Sequence, residues 1–417
     1  MQPMQSMQMT ENQELAGKRI VLGLTGGVAC YKAAVFLRAL TRAGASVQVV
    51  MTEAATHFIT AVTMQALSGQ PVFTDQWDGR IANNMAHIDL TREADAIIIV
   101  PCSADFMAKL AHGICNDLLS TLCVARPMAL PLMVAPAMNV EMWQNPATQR
   151  NVAQLRADGI RFLGPDAGDQ ACGETGMGRM LEAEELLEDV IAAFQPRLLA
   201  GKRVLITAGP TFEPIDPVRG ITNLSSGKMG YALARAAREA GADVVLVSGP
   251  TALAAPRGVV RVDVQSAQQM FDAVMARAAR QDIFIAVAAV ADWRVANASA
   301  QKLKKTAARQ DAGPALVFEQ NPDILASVAA LNDPPYCVGF AAETENLEQY
   351  GSAKRIRKNI PLLVGNLGPQ TFGSGHNELM LFDQHGHTSL PRAGKLTLAR
   401  QLVAEIARRL ATAVAAG

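Results

Sequence analysis

The chain has 417 residues, half of them apolar, and its 38 Lys and Arg residues balance 38 Asp and Glu residues to a formal net charge of zero. At roughly 100–200 residues per domain, this length predicts two or three domains. The balanced charge argues against a nucleic-acid-binding protein, which would usually show a basic excess, and against a membrane-surface protein. No apolar run approaches the ~18 residues that a membrane-spanning helix needs.

The start of the chain and its cysteines indicate the compartment. Residues 1–13 are rich in Met and Gln and contain no Lys or Arg, so the basic start and the apolar middle of a secretory signal are both missing. We expect a disordered leader over residues 1–14. The six cysteines include no C-x-x-C pair, which argues against a zinc site, and a disulfide framework is not expected in a chain this long. Free thiols fit a reducing compartment, and we predict a cytoplasmic protein.

The first predicted strand begins near Ile20 and ends in a turn that contains Gly26 and Gly27. An Ala-rich helical stretch follows, and Gly44 marks its end, since glycine commonly terminates a helix. Further apolar strands of this half are predicted over residues 46–51, 95–100 and 131–135.

The second half repeats this opening. Residues 199–205 resemble residues 15–21, and the strand that they begin ends in a turn that contains Gly209. Another Ala-rich helical stretch follows and ends before Gly241. Further apolar strands of this half are predicted over residues 243–248, 282–288 and 336–340.

Short β-branched strands that alternate with helical stretches are typical of parallel sheets with helices on both faces. We therefore predict an α/β protein with two Rossmann-like or flavodoxin-like three-layer domains and mainly parallel sheets. Pro196 marks the boundary between a domain over 15–195 and a domain over 196–417. In such sheets ligands bind at the carboxyl ends of the strands, so the loops that follow the strands are the candidate sites.

Gly26 and Gly27 lie between the first strand and the first helix. Backbone amides at a helix N-terminus suit a phosphate group, although a tight turn without a ligand explains these glycines about equally well. The motif differs from G-x-G-x-x-G, and no acidic residue clearly ends the second strand, where Met51, Thr52 and Glu53 stand. A mononucleotide is therefore favoured over a dinucleotide.

Four further loops of the first half carry side chains capable of chemistry. His87 lies near the carboxylate of Asp89, Ser103 follows a buried strand, Asn139 follows the next strand, and Cys172 lies in a Gly-rich loop. Each has an ordinary structural explanation as well. A histidine is often a hydrogen-bonded structural group, an asparagine often caps a helix, and a cysteine is often a bystander.

These motifs occur together and in one order, namely residues 25–32, the His87 loop, residues 136–139 and the Cys172 loop. Over about residues 15–190, the first half thus resembles the flavin-dependent phosphopantothenoylcysteine decarboxylases. That family belongs to the homo-oligomeric flavin-containing cysteine decarboxylases.

The resemblance implies that FMN oxidises the cysteinyl thiol of the substrate to a thioaldehyde, that carbon dioxide is lost, and that the resulting ene-thiolate is reduced and protonated. It implies that Cys172 donates the proton, that Asn139 orients the substrate carboxylate, and that His87 serves the oxidative step as a base or a positioning group. Two departures, Thr25 for the family's Ser and residues 100–104 for its Ala-Pro-Ala-Thr-Ala, keep the hydroxyl groups. The residues expected to line the FMN site are Gly26, Gly27, Thr52, Ser103 and Ala104.

In the second half, residues 216–223 lead into residues 225–230 and a helix. The stretch is not a P-loop, because six residues separate Gly220 from Gly227 and Met229 stands where a hydroxyl is needed. Hydroxyls, glycine amides and a helix N-terminus nevertheless predict a phosphate cradle, with an ordinary capped helix start as the alternative.

A buried strand then ends at Asp292, and a basic cluster over residues 302–305 follows. Such a cluster is usually a solvated face, but beside a phosphate cradle it can neutralise charge that develops in nucleotidyl transfer. The pattern continues through residues 321–324, 339–344 and 354–359. Over about residues 199–410, this half resembles the phosphopantothenate–cysteine ligase domain in its bacterial, CTP-using form. The two halves together resemble the family of bifunctional coenzyme A biosynthesis proteins.

This second resemblance implies that CTP and Mg²⁺ activate the carboxylate of 4′-phosphopantothenate as an acyl-cytidylate, which the amine of cysteine then attacks. Asp292 is expected to bind the nucleotide or its metal-bound phosphates, and Lys302 to offset charge during activation. Asn223 and Arg219 are expected to handle phosphopantothenate or its acyl intermediate. Few protein ligands are expected for Mg²⁺, which keeps much of its water. The family usually has Tyr in place of Gly220. The CTP pocket is expected to comprise Ser225, Ser226, Gly227, Ala286, Val287, Ala288, Asp292, Lys302, Pro322, Asp323, Ile324, Leu325, Phe340, Lys354 and Lys358.

The resemblance further implies small-molecule partners and a homo-oligomer, with decarboxylase trimers grouped into a dodecamer and with ligase dimers. Two alternatives remain open. A flavin-binding regulatory protein of the same fold would have lost catalysis, which the presence of His87, Asn139 and Cys172 argues against. A nicotinamide reductase in the second half would be expected to carry the glycine fingerprint, which is missing.

Overall fold

The chain divides into two compact units between Ala193 and Phe194. Of the predicted leader, only Gln13 and Glu14 belong to the described part of the chain. None of the helices in that part is long and apolar enough to cross a membrane. The computed structural model describes residues 13–78, 80, 85–303, 315–343, 346–367 and 375–416.

The first unit is built on a parallel sheet with the strand order β2-β1-β3-β4-β5. Its strands are β1 Arg19–Leu24, β2 Ser46–Met51, β3 Ala96–Cys102, β4 Leu132–Pro136 and β5 Arg161–Phe162. Every residue of β3 is buried, as expected for a continuous apolar run in the middle of a parallel sheet. A separate antiparallel hairpin joins β6 Asp166–Asp169 to β7 Thr175–Arg179.

Nine helices are described in the first unit. They are α1 Cys30–Arg42, α2 Glu53–Thr56, α3 Ala61–Ser68, α4 Ala86–Arg92, α5 Ala104–His112, α6 Leu118–Ala125, α7 Val140–Gln144, α8 Pro146–Ala157 and α9 Ala183–Ala193. Several begin at side chains that accept a hydrogen bond from the first turn, which is why their starts are sharply defined. Asp117 and Ser120, for example, form a reciprocal capping box at α6.

The sheet of the second unit has eight described strands in the order β12-β11-β8-β13-β16-β17-β18-β19. It is parallel from β12 to β17, and β18 and β19 extend it as antiparallel strands. Its strands are β8 Arg203–Ala208, β11 Asp243–Ser248, β12 Val260–Asp263, β13 Ile283–Ala286, β16 Tyr336–Glu343, β17 Leu362–Leu367, β18 His376–Asp383 and β19 Gly386–Gly394. Two short antiparallel ribbons pair β9 Phe212–Pro214 with β10 Gly220–Thr222 and β14 Trp293–Val295 with β15 Phe318–Gln320.

Helices cover both faces of this second sheet. They are α10 Lys228–Glu239, α11 Ala267–Ala278, α12 Ile324–Ala329, α13 Leu347–Lys358 and α14 Lys395–Ala416. Along β8, Val204 and Ile206 belong to the core with α10 and α14, whereas Leu205 belongs to the core with α11 and α12. Successive strand side chains point to opposite faces, so the unit has the three layers of a doubly wound fold.

The predicted fold class is confirmed. The order 2-1-3-4-5 in the first unit is that of flavodoxin-like folds. In the second unit, β12 to β17 follow the 3-2-1-4-5-6 order of the Rossmann fold. In both, the order reverses beside the first strand, so each sheet has a crevice at that point, between β1 and β3 and between β8 and β13.

A buried ion pair joins α10 to α14 in the second unit. The Glu239 side chain is 1% exposed and accepts hydrogen bonds from Arg400 at 2.7 and 3.0 Å. It also accepts a hydrogen bond from Arg235 at 2.9 Å. The three groups satisfy a carboxylate that would otherwise be costly to bury.

The Arg400→Met variant is expected to destabilise this unit by about 3 kcal/mol, because it leaves the buried Glu239 carboxylate short of a partner. Amide hydrogen exchange along α10 and α14, measured in increasing urea, reports the change. The control is Arg408→Met on the same helix, since the Arg408 side chain is 62% exposed and pairs with Glu405 at the surface. Equal effects of the two variants would contradict the assigned role of the buried pair.

Candidate functional sites

The crevice of the first unit is held together by one buried hydroxyl. Thr25, which follows β1, donates from Oγ1 to the carbonyl of Pro101 at 2.8 Å and accepts from the amide of Ser103 at 2.9 Å. The loops that follow β1 and β3 are therefore fixed to each other. The hydroxyl, which serine would also provide at position 25, thus holds two loops of the crevice together in this chain.

A cavity of about 440 Å³ opens at this crevice. Its wall brings together the predicted residues Gly26, Gly27, Ser103, Ala104, Asn139 and Cys172. The wall includes residues at the N-terminal ends of α1 and α5, where backbone amides favour an anion. An alanine Cβ at Gly27 would meet no heavy atom within 4 Å, so the space in front of this turn is open.

Two cationic side chains also line this cavity. The largely buried Lys32 donates to the carbonyl of Met180 at 3.1 Å and pairs with Glu182 at 2.7 Å. Arg179 pairs with the same carboxylate at 2.6 Å. The hydrogen bond from Lys32 lowers the pKa of Glu182 below its usual range. Both cations are thus paired with Glu182, and the wall of the cavity also carries the carboxylate of Asp169.

Asn139 has the helix-capping role that was considered for it, and its role toward a substrate stays a prediction. Its Oδ1 caps α7 by accepting from the amide of Met142 at 3.1 Å. Its Nδ2 donates to Oε2 of Glu174 at 3.1 Å. The capping bond fixes the orientation of the carboxamide, so its donor group points away from the helix and is directed at the loop between β6 and β7.

Cys172 lies exposed in that loop, which lines the cavity. Its Sγ donates to Oε2 of Glu174 at 3.3 Å. Gln170 anchors the loop, because its Oε1 accepts from the amide of Val140 at 3.0 Å and its Nε2 donates to the carbonyl of Gly176 at 3.2 Å. Sequence reasoning missed both Gln170 and Glu174, although both stand within two residues of Cys172.

Gly178 lets the hairpin approach the Asn139 loop closely. It has a φ of 127°, its carbonyl accepts from the amide of Met138 at 3.1 Å, and an alanine Cβ there would lie 2.5 Å from the Met138 carbonyl oxygen. Glycine is required here by both the conformation and the contact.

The Gly178→Ala variant is therefore expected to lower the melting temperature by about 5 °C or more, because it adds a backbone clash to conformational strain. Gly173→Ala is the matched control in the same hairpin. Gly173 has a φ of 86° but open space around its Cβ position, so strain alone should cost about 2 °C. Differential scanning fluorimetry of both variants measures the difference, and an equal shift would argue against the close approach at Gly178.

Thr52 and His87 lie outside the wall of this cavity. The Thr52 hydroxyl caps α2, accepting from the amide of Ala55 at 3.3 Å, and donates to the carbonyl of Leu24 at 3.3 Å. His87 is half-buried in the first turn of α4. The structure of one chain does not bring either side chain to Cys172.

The crevice of the second unit is fixed by two buried threonines that sequence reasoning missed. Thr207 accepts from the amides of Val287 and Ala288 at 3.2 and 3.3 Å. Thr211 accepts from the amide of Ala291 at 3.0 Å. These bonds hold the loop after β13 against the end of β8, and this loop contains several of the predicted CTP residues.

Asn223 and the predicted phosphate cradle lie beside the same loop. Nδ2 of Asn223 donates to the carbonyl of Ala289 at 2.9 Å. Ser225 accepts from the amide of Gly227 at 3.3 Å, and Gly227, with a φ of 74°, precedes the first turn of α10. The segment is thus a helix start that lies beside the loop of the crevice, and the phosphate cradle stays a prediction.

Arg219 is linked to the segment that carries Lys302. Asp216 accepts from Nε of Arg219 at 3.0 Å and from the amide of Leu303 at 3.1 Å, while Arg219 donates to the carbonyl of Leu303 at 3.1 Å. The hydrogen bonds from Arg219 hold the pKa of Asp216 well below its usual range. The exposed Lys302 is therefore tethered beside Arg219, and the other lysines of its cluster, Lys304 and Lys305, lie outside the described residues.

Three other predicted residues gather around Lys358. Lys358 forms an ion pair with Asp323, whose Oδ1 caps α12. Burial lowers the pKa of Lys358, and the nearby carboxylate of Asp292 opposes that shift. Lys354 lies one turn earlier on α13 and is half-buried. In the described part of the chain, no group of three or more His, Cys, Asp and Glu side chains could hold a metal ion.

Several predicted CTP residues serve mainly the core. Ile324 and Leu325 are 6% and 9% exposed and pack in the core with α11, and Phe340 packs against the opposite core. The remaining predicted residues Ser226, Ala286 and Pro322 lie in or beside the loops of the crevice.

The glycine at position 220 has a local explanation. An alanine Cβ there would lie 2.6 Å from a ring carbon of Phe212 and 2.7 Å from the carbonyl oxygen of Glu213. The ring of Phe212 on β9 thus fills the space beside Gly220 on β10. The ribbon therefore has an aromatic side chain on β9 and none at position 220.

Comparisons with known proteins identify the family of the chain. Residues 8–195 match the Flavoprotein family, and residues 199–410 match the family described as the DNA/pantothenate metabolism flavoprotein C-terminal domain. The coenzyme A biosynthesis bifunctional protein of Vibrio cholerae is 50% identical over 93% of this chain and 97% of its own length. The Escherichia coli protein of the same name is 48% identical over 95% of this chain and 98% of its own length. A solved C-terminal domain of a protein of that name is 40% identical over 52% of this chain and 99% of its own length, with a TM-score of 0.45. The chain belongs to the family of bifunctional coenzyme A biosynthesis proteins.

Proposed function

We propose that the second unit joins cysteine to 4′-phosphopantothenate with CTP, and that the first unit decarboxylates the product to 4′-phosphopantetheine. The observation that carries the proposal is that Asn139, Cys172 and the Gly26–Gly27 turn line one cavity. The product of the ligase reaction is the substrate of the decarboxylase, which gives the fusion a chemical reason.

The first cavity suits FMN. Its wall combines the open Gly27 turn, the amino ends of α1 and α5, and the cations Lys32 and Arg179, all of which favour a phosphate group. Ser103 and Ala104 line the same wall and are proposed flavin contacts. When bound, FMN supplies the two-electron redox chemistry by which the substrate is oxidised and then reduced.

The side chains of the first unit position the substrate and move one proton. Asn139 Nδ2 is the proposed donor to the carboxylate that leaves as carbon dioxide, because its carboxamide is already oriented by the cap at Met142. The Cys172 thiol is the proposed donor of the proton that the ene-thiolate carbon receives. The loop between β6 and β7 brings this thiol to the cavity.

In the second unit, the proposed nucleotide site is the crevice between β8 and β13. Amides at the start of α10 suit the phosphates, and Lys302 is proposed to offset negative charge as the acyl-cytidylate forms. Arg219 and Asn223 are proposed to hold phosphopantothenate. Asp292 is the proposed contact to Mg²⁺, which would offset the negative charge of the nucleotide phosphates and would need few protein ligands.

A homo-oligomer forms part of the proposal. On α1 and the turn before it, Val28, Tyr31 and Val35 are 56%, 62% and 51% exposed, and Val28 and Tyr31 also line the cavity. An apolar stripe of this kind suits cover by another copy of the chain. The proposed role of His87 requires such an assembly, since one chain leaves it outside the cavity wall. Decarboxylase trimers within a dodecamer, and ligase dimers, are the proposed arrangement.

The alternatives are not favoured. The full-length relatives are bifunctional biosynthesis proteins, which argues against a flavin-binding regulator. Tyr350 and Lys354 do have a Tyr-x-x-x-Lys spacing on α13, but no G-x-G-x-x-G follows β8, which argues against a nicotinamide reductase.

The test is one assay of the full chain with 4′-phosphopantothenate, cysteine, CTP and Mg²⁺, with products followed by mass spectrometry. Formation of 4′-phosphopantetheine and carbon dioxide by yellow, flavin-containing protein is expected. Absence of ligated product with either CTP or ATP would refute the proposal for the second unit. The first unit is tested separately by supplying phosphopantothenoylcysteine directly.

A further inference from the structure

One oxygen atom of Glu174 connects the two side chains proposed to act on the substrate of the first unit. Oε2 accepts from Nδ2 of Asn139 at 3.1 Å and from Sγ of Cys172 at 3.3 Å. Glu174 is half-buried, whereas Cys172 and Gly173 beside it are exposed. The loop thus places a carboxylate between the carboxamide and the thiol.

This arrangement occupies the donor that the substrate needs. Oδ1 of Asn139 is committed to the cap of α7, which leaves Nδ2 as the donor end of the carboxamide. A substrate carboxylate held by Asn139 has the same charge and the same acceptor oxygens as the side chain of Glu174. Nδ2 carries two N–H groups, and the one directed at the loop between β6 and β7 is taken by Glu174, so the two carboxylates compete for that N–H.

We propose that Glu174 occupies the position of the substrate carboxylate in the ligand-free enzyme and is displaced when the substrate binds. The proposal rests on the function proposed above. Displacement also releases the Cys172 thiol from its hydrogen bond to Oε2, so the proton donor becomes available once a ligand with a carboxylate has arrived. Glu174 is in this sense a positioning residue: it weakens the binding of the substrate carboxylate, and it holds the thiol until that carboxylate displaces it.

The experiment compares two ligands that cannot be oxidised at sulfur. The first is the serine analogue of phosphopantothenoylcysteine, and the second is its ethanolamine counterpart, which lacks only the carboxylate. Their affinities for the flavin-containing full chain are measured by isothermal titration calorimetry. Glu174→Ala is expected to bind the serine analogue about tenfold more tightly than the wild type, because no charge-assisted hydrogen bond has to be broken first. Its affinity for the ethanolamine analogue should stay within about twofold.

Glu141→Ala is the matched control, since Glu141 is an exposed carboxylate in the first turn of the neighbouring α7. It should leave both affinities unchanged. Glu174→Gln keeps the size of the side chain without its charge and should shift the affinity for the serine analogue in the same direction as Glu174→Ala.

Unchanged or weaker binding of the serine analogue by Glu174→Ala would overturn the proposal, and so would an equal gain for both analogues. Turnover of phosphopantothenoylcysteine by the wild type is measured in parallel. If the wild type does not turn over phosphopantothenoylcysteine, the proposed function is refuted. If it does, and one of the adverse binding results is found, only the role of Glu174 is refuted.

Discussion

Cys172→Ala is expected to lower the rate of 4′-phosphopantetheine formation by about 10²–10⁴-fold, the range that a positioned proton donor contributes. Ligation in the second unit should continue, since Cys172 belongs to the loop between β6 and β7 of the first unit. Mass spectrometry should therefore show phosphopantothenoylcysteine or its oxidised, decarboxylated derivative in place of the final product.

The control for this variant is Cys115→Ala. Cys115 is the other exposed cysteine among the described residues, and its thiol donates to the carbonyl of Gly113, away from the cavity wall. Full activity of Cys115→Ala beside a stalled Cys172→Ala separates proton donation from the general loss of a thiol. Product formation by Cys172→Ala at the wild-type rate would show that another group supplies the proton.

The second large effect is expected from Lys302→Gln, which should reduce formation of the ligated product by about 10²–10³-fold, as removal of one charge-stabilising donor does in other sites. Lys302 is exposed and lies beside Leu303, to which both Arg219 and Asp216 are hydrogen-bonded. The segment that carries the lysine is therefore fixed, and glutamine keeps much of the side-chain length while removing the charge.

Lys202→Gln is the matched control, because Lys202 is also exposed but precedes β8, at the opposite end of the strand from the crevice. Pyrophosphate release with CTP and phosphopantothenate, measured without cysteine, isolates the activation step. Loss of ligation with normal pyrophosphate release would show that Lys302 acts in the step that follows activation. Equal losses in the two variants would exclude a specific role.

The central strands of both sheets were predictable because they are short, buried and rich in β-branched residues, whereas β5, β12 and β17 to β19 were not predicted. The predicted ranges 46–51 and 243–248 coincide with β2 and β11. The hairpin of β6 and β7 and the ribbon of β9 and β10 were not predicted. They are glycine-containing or very short, largely exposed segments, so the apolar alternation that reveals a half-buried strand is missing from them.

The site was predictable where residue type and position carry the signal. Asn139 and Cys172 follow recognisable motifs, and the structure brings them to one cavity. Glu174 and Thr207 were missed because their importance lies in partners that are distant in sequence. Thr207 is 80 residues from Val287, and Asn139 is 35 residues from Glu174. Within one sequence, no local pattern reveals such pairs.

The two strand orders change how the internal repeat is to be understood. In each sheet, the second strand pairs with one edge of the first strand. The other edge of the first strand pairs with the third strand of the sheet, β3, in the first unit, but with the fourth strand of the sheet, β13, in the second unit. Despite this difference, a threonine hydroxyl near the end of the central strand accepts from an amide of the neighbouring loop in both units, Thr25 from Ser103 and Thr207 from Ala288. The halves are therefore equivalent by position in the sheet rather than by position in the chain. An alignment of the halves in sequence order would pair the wrong loops after the second strand.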